Sequence, residues 1–238
     1  LYSRANFVRL VVISQALANW YLAEMPTVRR KSLVVAHDAA DDAYDVSAAR
    51  TARRAGARFT VGYVGQLYPG KGMEIISQLP PRMPEIDFHI IGGTESDLSH
   101  WRSKATSSNV FLHGYMAPSA LPERIASFDV VLAPYQRKVA VYGKSRDISA
   151  WMSPLKIFEY MAAGRAMIAS DLPVLREVLA NERNALLVPP DSVDAWTAAL
   201  RRCITDPPLV ARIGAQARAD FLERHLWSAR AHDVLHGY

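Results

Sequence analysis

Two stretches of this chain hold residue types that suit a charged ligand. The first is Gly65-Gln66-Leu67-Tyr68-Pro69-Gly70-Lys71-Gly72, which follows the aliphatic run FTVGYV. It matches the phosphate-loop pattern G-x-x-x-x-G-K-[ST] in every place but the last. There Gly72 has no hydroxyl for a magnesium ion. Glycines let a backbone approach an anion closely, N–H groups at a helix start point toward one, and a lysine adds mobile positive charge. A triphosphatase also needs a strand ending in a metal-holding Asp, and in MIASD Ser170 intervenes before Asp171. Three readings stand: a damaged triphosphatase loop, a diphosphate site without metal, or a strand-to-helix turn with a surface lysine. Taken alone, so short a motif favours the turn.

The second stretch, SPLKIFEYMAAGRAMIASDLPVLREVL, covers residues 153–179. Ser153 suits a helix N-cap, Pro154 the first helical position and Gly164 the end. On a helical wheel Leu155, Ile157, Phe158, Met161 and Ala162 form the apolar side, and Lys156, Glu159 and Tyr160 the polar side. Glu159 has two readings. One is an i, i+3 ion pair with Lys156, worth about 0.2–0.5 kcal/mol. The other is a carboxylate near the carboxyl edge of a sheet, accepting hydrogen bonds from sugar hydroxyls; in open α/β sheets that edge is where ligands bind.

The elements that must position these residues alternate along the chain. Strand-like runs fall at RLVVIS (9–14), SLVVAH (32–37), FTVGYV (59–64), DFHIIG (87–92), NVFLHG (109–114), DVVLAP (129–134), AMIAS (166–170) and ALLVP (185–189). Helical patterns are expected at 15–25 and at roughly 71–80, 95–106, 118–127, 154–163 and 173–181, followed by a helical tail from Ser192 carrying Trp196, Leu200, Val210, Ile213, Ala217 and Phe221 near helical spacing. Continuous apolar strands between helices predict a parallel sheet covered on both faces, that is, a doubly wound, Rossmann-like α/β domain.

The bulk numbers set bounds. The 238 residues are half hydrophobic and 21% charged, with a net charge of +5. That is enough chain for a substantial core and an ordinary charge content for a folded domain. The mild positive balance suits an anionic substrate, a phospholipid surface or a nucleic acid, and selects none of them. A single cysteine, Cys203, rules out an intrachain disulfide and suits a reducing compartment. In AALRRCITD it reads as buried and inert. No apolar run reaches the length of a membrane span, and no signal peptide is visible. The chain opens at Leu1 with an aliphatic strand almost at once, so its natural N-terminus is expected to lie upstream. Arg50, Arg53, Arg54 and Arg58 fall on one helix face. A solvated face is the favoured reading, an anionic surface or nucleic-acid backbone the sharper one; no aromatic residue interleaves with the stripe. His37 and His113 each end a strand and are expected to be satisfied locally. No His/Cys spacing suggests zinc.

At these motifs the chain resembles the retaining GT-B glycosyltransferases of family 4, and the resemblance covers nearly the whole length. It rests on GQLYPGKG, on IIGGTES, on FLHGYMAPSAL, on the long stretch at 153–179 and on LWSARA at 226–231. The opening VVISQAL…VVAHDAAD resembles the closing βαβ of that family's N-terminal domain. The implied organisation is a remnant of the N-terminal, acceptor domain at 1–40, a linker at 41–58, a nucleotide-sugar-binding Rossmann-like domain at 59–225 (the C-terminal half of a GT-B fold) and a C-terminal helix at 226–238. Residues 229–238 are expected to pack near residues 8–36.

The resemblance also implies roles. Lys71, with Gly65, Gln66 and the loop around them, would grip the donor diphosphate. Gln66 stands where many members carry a second cation, which either weakens diphosphate binding or moves that task to Lys156 and to backbone amides near Ser153. Glu159 matches the second glutamate of the family's paired-glutamate motif, which holds the ribose. The first glutamate would fall at Trp151. There Trp151, Met152 and the amides after Ser153, with Pro154 and Leu155, would have to approach the donor sugar. Tyr115 and Met116 align with the turn that frames the base. The implied activity is metal-independent hexosyl transfer from a UDP- or GDP-type nucleotide sugar, with retention, for polysaccharide or glycolipid synthesis. No cofactor and no nucleic-acid partner are expected, and the acceptor would be a saccharide or lipid-linked saccharide. The place implied is the cytoplasm, with peripheral contact at the inner membrane face in the full-length protein. This chain alone is expected to bind nucleotide without transferring sugar. The alternatives are a sugar-nucleotide epimerase of the same fold and a non-enzymatic anion- or nucleic-acid-binding α/β module.

Overall fold

The computed structural model describes residues 7–25, 27–28, 33–43, 56–140 and 147–235. Arg50, Arg53 and Arg54 of the arginine stripe lie outside them. Arg58, the fourth, pairs with Asp87 across 2.7 Å.

The eight expected strands all form. β1 (Leu10–Val12) and β2 (Leu33–Val35) make a small parallel sheet of their own, joined by α1 (Gln15–Glu24). The other six are β3 (Phe59–Val64), β4 (Ile86–Ile91), β5 (Val110–Gly114), β6 (Val130–Ala133), β7 (Ala166–Ser170) and β8 (Leu186–Val188). They form one parallel sheet in the order β5-β4-β3-β6-β7-β8. The chain winds outward from β3 to β5, then returns to the other side of β3 with β6. That reversal between β3 and β6 is a topological switch point.

Successive strand residues serve opposite faces, and both faces are dry. Val61, Tyr63, Val130, Leu132 and Ile168 enter one apolar cluster; Val64, Val131, Ala133, Met167 and Ala169 enter the other. Such alternation without a polar face requires helices on both sides. α2 (Met73–Ile76), α3 (Glu95–Arg102) and α6 (Val193–Thr205) supply apolar residues to the first cluster. α4 (Leu121–Ala126) and α5 (Leu155–Ala162) supply the second, and α7 (Pro207–Arg224) contributes to both.

Several elements are shorter than their patterns suggest. The helix expected at 71–80 is one α turn plus a 3-10 turn at Pro80–Arg82. The one expected at 173–181 is only a 3-10 turn, Leu175–Glu177. There Asn184 takes over the polar groups that a longer helix would pair internally: its Nδ2 donates to the Val178 carbonyl (3.1 Å), and its Oδ1 accepts from the Ala180 amide (2.8 Å). Cys203 is buried, and burial pushes its thiol up to about 12.

The last helix, α8 (Trp227–Leu235), lies against the small sheet's segment. Arg9 Nη1 donates to the Val234 carbonyl at 2.9 Å, and Arg230 Nε to the His37 carbonyl at 2.8 Å. The Ala40 amide donates to the His225 carbonyl at 3.1 Å.

Candidate functional site

The loop after β3 is held from below. Tyr63 is buried in that strand, and its hydroxyl lies 2.7 Å from the Gln66 carbonyl and 3.1 Å from that of Lys71. The single phenolic hydrogen thus ties both ends of the turn. Lys71 itself donates its amide to the Tyr68 carbonyl at 3.0 Å.

The amides expected to receive a phosphate are already taken. Glu74, at the start of α2, accepts from Gly70 N at 2.7 Å and from Gly72 N at 3.3 Å. An acidic side chain in the first helical turn satisfies donors that the helix cannot. The loop therefore offers a ligand the Lys71 ammonium rather than a cradle of N–H groups, and α2 is a single turn. The missing hydroxyl at the end of the motif also has a steric reason. Gly72 has φ +122°, and a Cβ there would stand 2.2 Å from Pro134 Cγ, just past β6. No serine or threonine fits that place without moving the loop.

α5 departs most from its wheel. Its cap is Pro154 in extended geometry, one residue later than expected, and no side chain caps it. The Ser153 hydroxyl instead accepts from the Asp38 amide at 3.3 Å. Leu155, placed on the apolar side, is 51% exposed, while Lys156 and Tyr160, placed on the polar side, are buried. The Tyr160 phenolic oxygen accepts from Val64 N at 2.8 Å, where the ladder between β3 and β6 has already ended at Gly62. A hydroxyl at that point completes the strand's hydrogen bonding, so the tyrosine is drawn inward.

Lys156 follows it. Its Nζ lies 3.7 Å from the centroid of the Tyr63 ring and 5.2 Å from that of Tyr135. It has no hydrogen-bond partner, so the i, i+3 bond to Glu159 does not form. Gly65 makes the space: a Cβ there would meet Nζ at 2.7 Å. Burial holds the Lys156 ammonium well below its ordinary range, with Lys71 pushing the same way and Glu159 opposing. Burial also lowers Lys71. It raises Glu159, against the pull of Lys156.

Lys71, Lys156 and Glu159 thus share one neighbourhood centred on Tyr135. Lys71 Nζ lies 5.5 Å from that ring's centroid, and Glu159 is the charge that, after burial, most raises the Tyr135 phenol. Gly65 directly follows β3 and Tyr135 lies just past β6, so the group sits at the carboxyl rim beside the switch point.

The other expected residues divide. Tyr115 follows β5 at the same rim and is 79% exposed, with Met116 half-buried behind it against the core. Gln66 is exposed. Met152 is buried, and Trp151 and Ser153 are half-buried. The Trp151 carbonyl accepts from Ser14 Oγ at 3.0 Å, and its ring lies 5.9 Å from that of Trp20 in α1. Met152 is a core residue, packed in the same apolar cluster as Ile157 and Phe158. These contacts fix the segment before α5 against the first part of the chain. His37 Nδ1 meets the Ile13 carbonyl at 3.1 Å and His113 Nε2 meets His89 at 2.9 Å. Among the described residues no group of three or more His, Cys, Asp or Glu is placed to hold a metal ion, and no helix is long and apolar enough to cross a membrane.

Sequence reasoning gives no role to Tyr63, Glu74 or Tyr135, and places Tyr160 only on the polar side of its helix. A hydroxyl-bearing residue two places before Gly65 in an otherwise apolar strand was the available signal for Tyr63. A glutamate at the first turn after Gly-Lys-Gly was the one for Glu74.

Residues 58–206 match the family model described as Glycosyl transferases group 1. A phosphatidyl-myo-inositol mannosyltransferase of Mycolicibacterium smegmatis is 30% identical, over 75% of this chain and 44% of its own length. The chain spans about half the length of the curated mannosyltransferases it matches. Among solved structures, the Anabaena protein HepE in complex with UDP and glucose superposes with a TM-score of 0.73 at 20% identity, covering 95% of this chain and 61% of that one. Sucrose-phosphate synthase from Thermosynechococcus elongatus does so with a TM-score of 0.76 at 18% identity, covering 98% and 57%.

Proposed function

The chain belongs to the Glycosyl transferases group 1 family, and from that premise we propose that it is the donor-binding part of an enzyme moving a sugar from a nucleoside-diphosphate sugar to an acceptor. The observation that carries this reading is the convergence of Lys71, Lys156 and Glu159 around Tyr135 at the carboxyl rim. As a glycosidic bond to a diphosphate breaks, negative charge grows on the leaving phosphate oxygens. Lys71, and Lys156 once it carries its proton, are held beside that position by the fold and stabilise the charge there. They supply what a divalent cation supplies in other phosphate sites, so the proposed transfer is metal-independent. The N-terminus of α5, capped by no side chain, adds its partial positive charge in the same quarter.

In this reading Glu159 accepts hydrogen bonds from ribose hydroxyls. Tyr115 and Met116 border the base. UDP is the first candidate nucleotide, because HepE was solved with it, and GDP is the second. The acceptor is proposed to be a saccharide or a glycolipid, following the mannosyltransferase relative. A lipid acceptor would bring the full-length protein to the inner face of a membrane. Residues 1–40 are proposed as the end of an acceptor domain, 41–58 as a linker, 59–225 as the donor domain and 226–238 as the return to the first part. The chain by itself is proposed to bind nucleotide without transfer, and the transfer by the whole protein to retain configuration.

The test is a calorimetric titration of the chain with UDP, GDP and ADP. One nucleoside diphosphate is expected to bind, and Lys71→Ala to weaken it. Binding of none of them, with duplex DNA bound in a steeply salt-dependent way instead, would overturn the proposal.

A further inference from the structure

Two buried side-chain atoms among the described residues have no hydrogen-bond partner, Lys156 Nζ and Ser170 Oγ. The first is the costly one. An ammonium removed from water without an acceptor is far less tolerable than a hydroxyl, and its cheapest escape is to give up the proton. The surroundings of Lys156 do little to prevent that. From β3 it faces the Tyr63 ring, and from the segment after β6 the Tyr135 ring. From the loop before α2 comes the like charge of Lys71, and from α5 itself Glu159, the only anion among the described residues that acts on it. Tyr160 of α5 and Glu74 of α2 bear on the buried Tyr63 beneath it. Glu159 is itself raised by burial and makes no bond to the amine.

A nucleoside diphosphate binding beside Lys71 would change this balance, since it brings close the negative charge that these surroundings lack. We propose that Lys156 takes up one proton from solvent as the diphosphate binds, so that the ligand creates the second cation of its own cradle. The step is a neutral amine taking a proton from a buffer acid: the new N–H bond forms as the acid's bond to that hydrogen breaks, the acid's conjugate base is left in solvent, and no other covalent change occurs. The inference rests on the reading that Lys71 and Lys156 hold a diphosphate, and it adds that the resting site keeps one of the two uncharged. A permanently charged pair would repel and pay desolvation twice while empty. A chargeable one pays only when the anion is present to offset it.

Isothermal titration of the full chain with UDP and GDP, at about pH 8 where the nucleotide phosphates have lost their own protons, reads this directly. In phosphate and in Tris the measured enthalpies should differ by the amount due to uptake of close to one proton. Affinity should fall by up to tenfold per unit as pH is raised further. Lys156→Arg, which cannot release its proton, should bind without uptake. Should the guanidinium not fit beside Gly65, Lys156→Met should bind more weakly, also without uptake. Carbon-13 spectra of the lysine Cε groups in the wild type should show Lys156 changing state on binding, independently of any variant. Binding with equal enthalpies in both buffers, uptake persisting in either variant, or an unchanged Lys156 resonance would overturn the proposal and leave the diphosphate site standing. Failure of every nucleoside diphosphate to bind would remove that site and this inference with it.

Discussion

The Nζ of Lys156 sits 3.7 Å from the centroid of the Tyr63 ring with no hydrogen-bond partner, beneath a loop whose ends are tied by the same tyrosine's hydroxyl. One phenol thus serves the loop with its oxygen and the lysine with its π face. A cation over an aromatic ring gains roughly 0.5–2 kcal/mol, which is small against the desolvation of a buried charge. The pair is consequently a poor resting place for a charged lysine and a good one for a lysine awaiting an anion.

A first prediction concerns stability without ligand. An unfolded lysine keeps its proton up to about 10.5, and the folded chain releases that of Lys156 at lower pH. Between the two values the unfolded state binds more protons, so stability rises with pH through that window. Lys156→Met should remove this rise. Melting temperatures measured against pH should show the variant more stable than wild type on the acid side of the window, with the gap closing as pH approaches the ordinary lysine range. A gap that stays constant with pH would contradict the argument.

Lys71→Ala should lower turnover of the full-length enzyme by about 10²–10³-fold, since one preorganised donor on developing charge is typically worth about 2.7–4 kcal/mol. Circular dichroism should stay unchanged, because Lys71 enters the fold through its backbone groups rather than its ammonium. Wild-type turnover in a well-folded Lys71→Ala protein would refute the assignment.

Gly72→Ser restores the triphosphatase pattern in letters and should fail as chemistry. The new Cβ meets Pro134 Cγ and the backbone is held at φ +122°. Overpacking and a left-handed non-glycine residue together cost roughly 2–4 kcal/mol. Chemical denaturation should show that loss, and magnesium should not tighten nucleotide binding to the variant.

Glu177 offers a test of the junction with the first segment. Its carboxylate accepts from Gln15 N at 2.6 Å and Ala16 N at 2.9 Å, so the start of α1 is satisfied by a residue from the turn between β7 and β8. Glu177→Ala should cost about 0.5–2 kcal/mol. Hydrogen exchange at those two amides should quicken while the strands of the large sheet stay protected. Unchanged exchange there would mean that water caps the helix equally well.

Much of this molecule is written locally. Strand and helix periodicity, with Gly and Pro as punctuation, place all eight strands to within a few residues, because alternation and turn chemistry depend on near neighbours along the chain. The alternation also puts Lys71 in the loop that leaves β3 and Glu159 in the helix between β6 and β7, the two central crossings of a parallel sheet. The wheel of α5 misleads, however. It sorts Lys156 and Tyr160 as polar by residue type, whereas the helix is enclosed between the sheet and α7 and buries both.

What the sequence by itself determined is the order and kind of the elements, the parallel doubly wound sheet and the edge at which a ligand would be met. The tertiary structure alone decided that Glu74 takes up the glycine amides, that Trp151 and Met152 face inward to α1 and the core, and that Lys156 lies dry and unpaired. Periodicity and turns are properties of a few consecutive residues. The burial of a charge and the occupant of a given N–H depend on which distant segments come to lie against them, and that is set only when the layers pack.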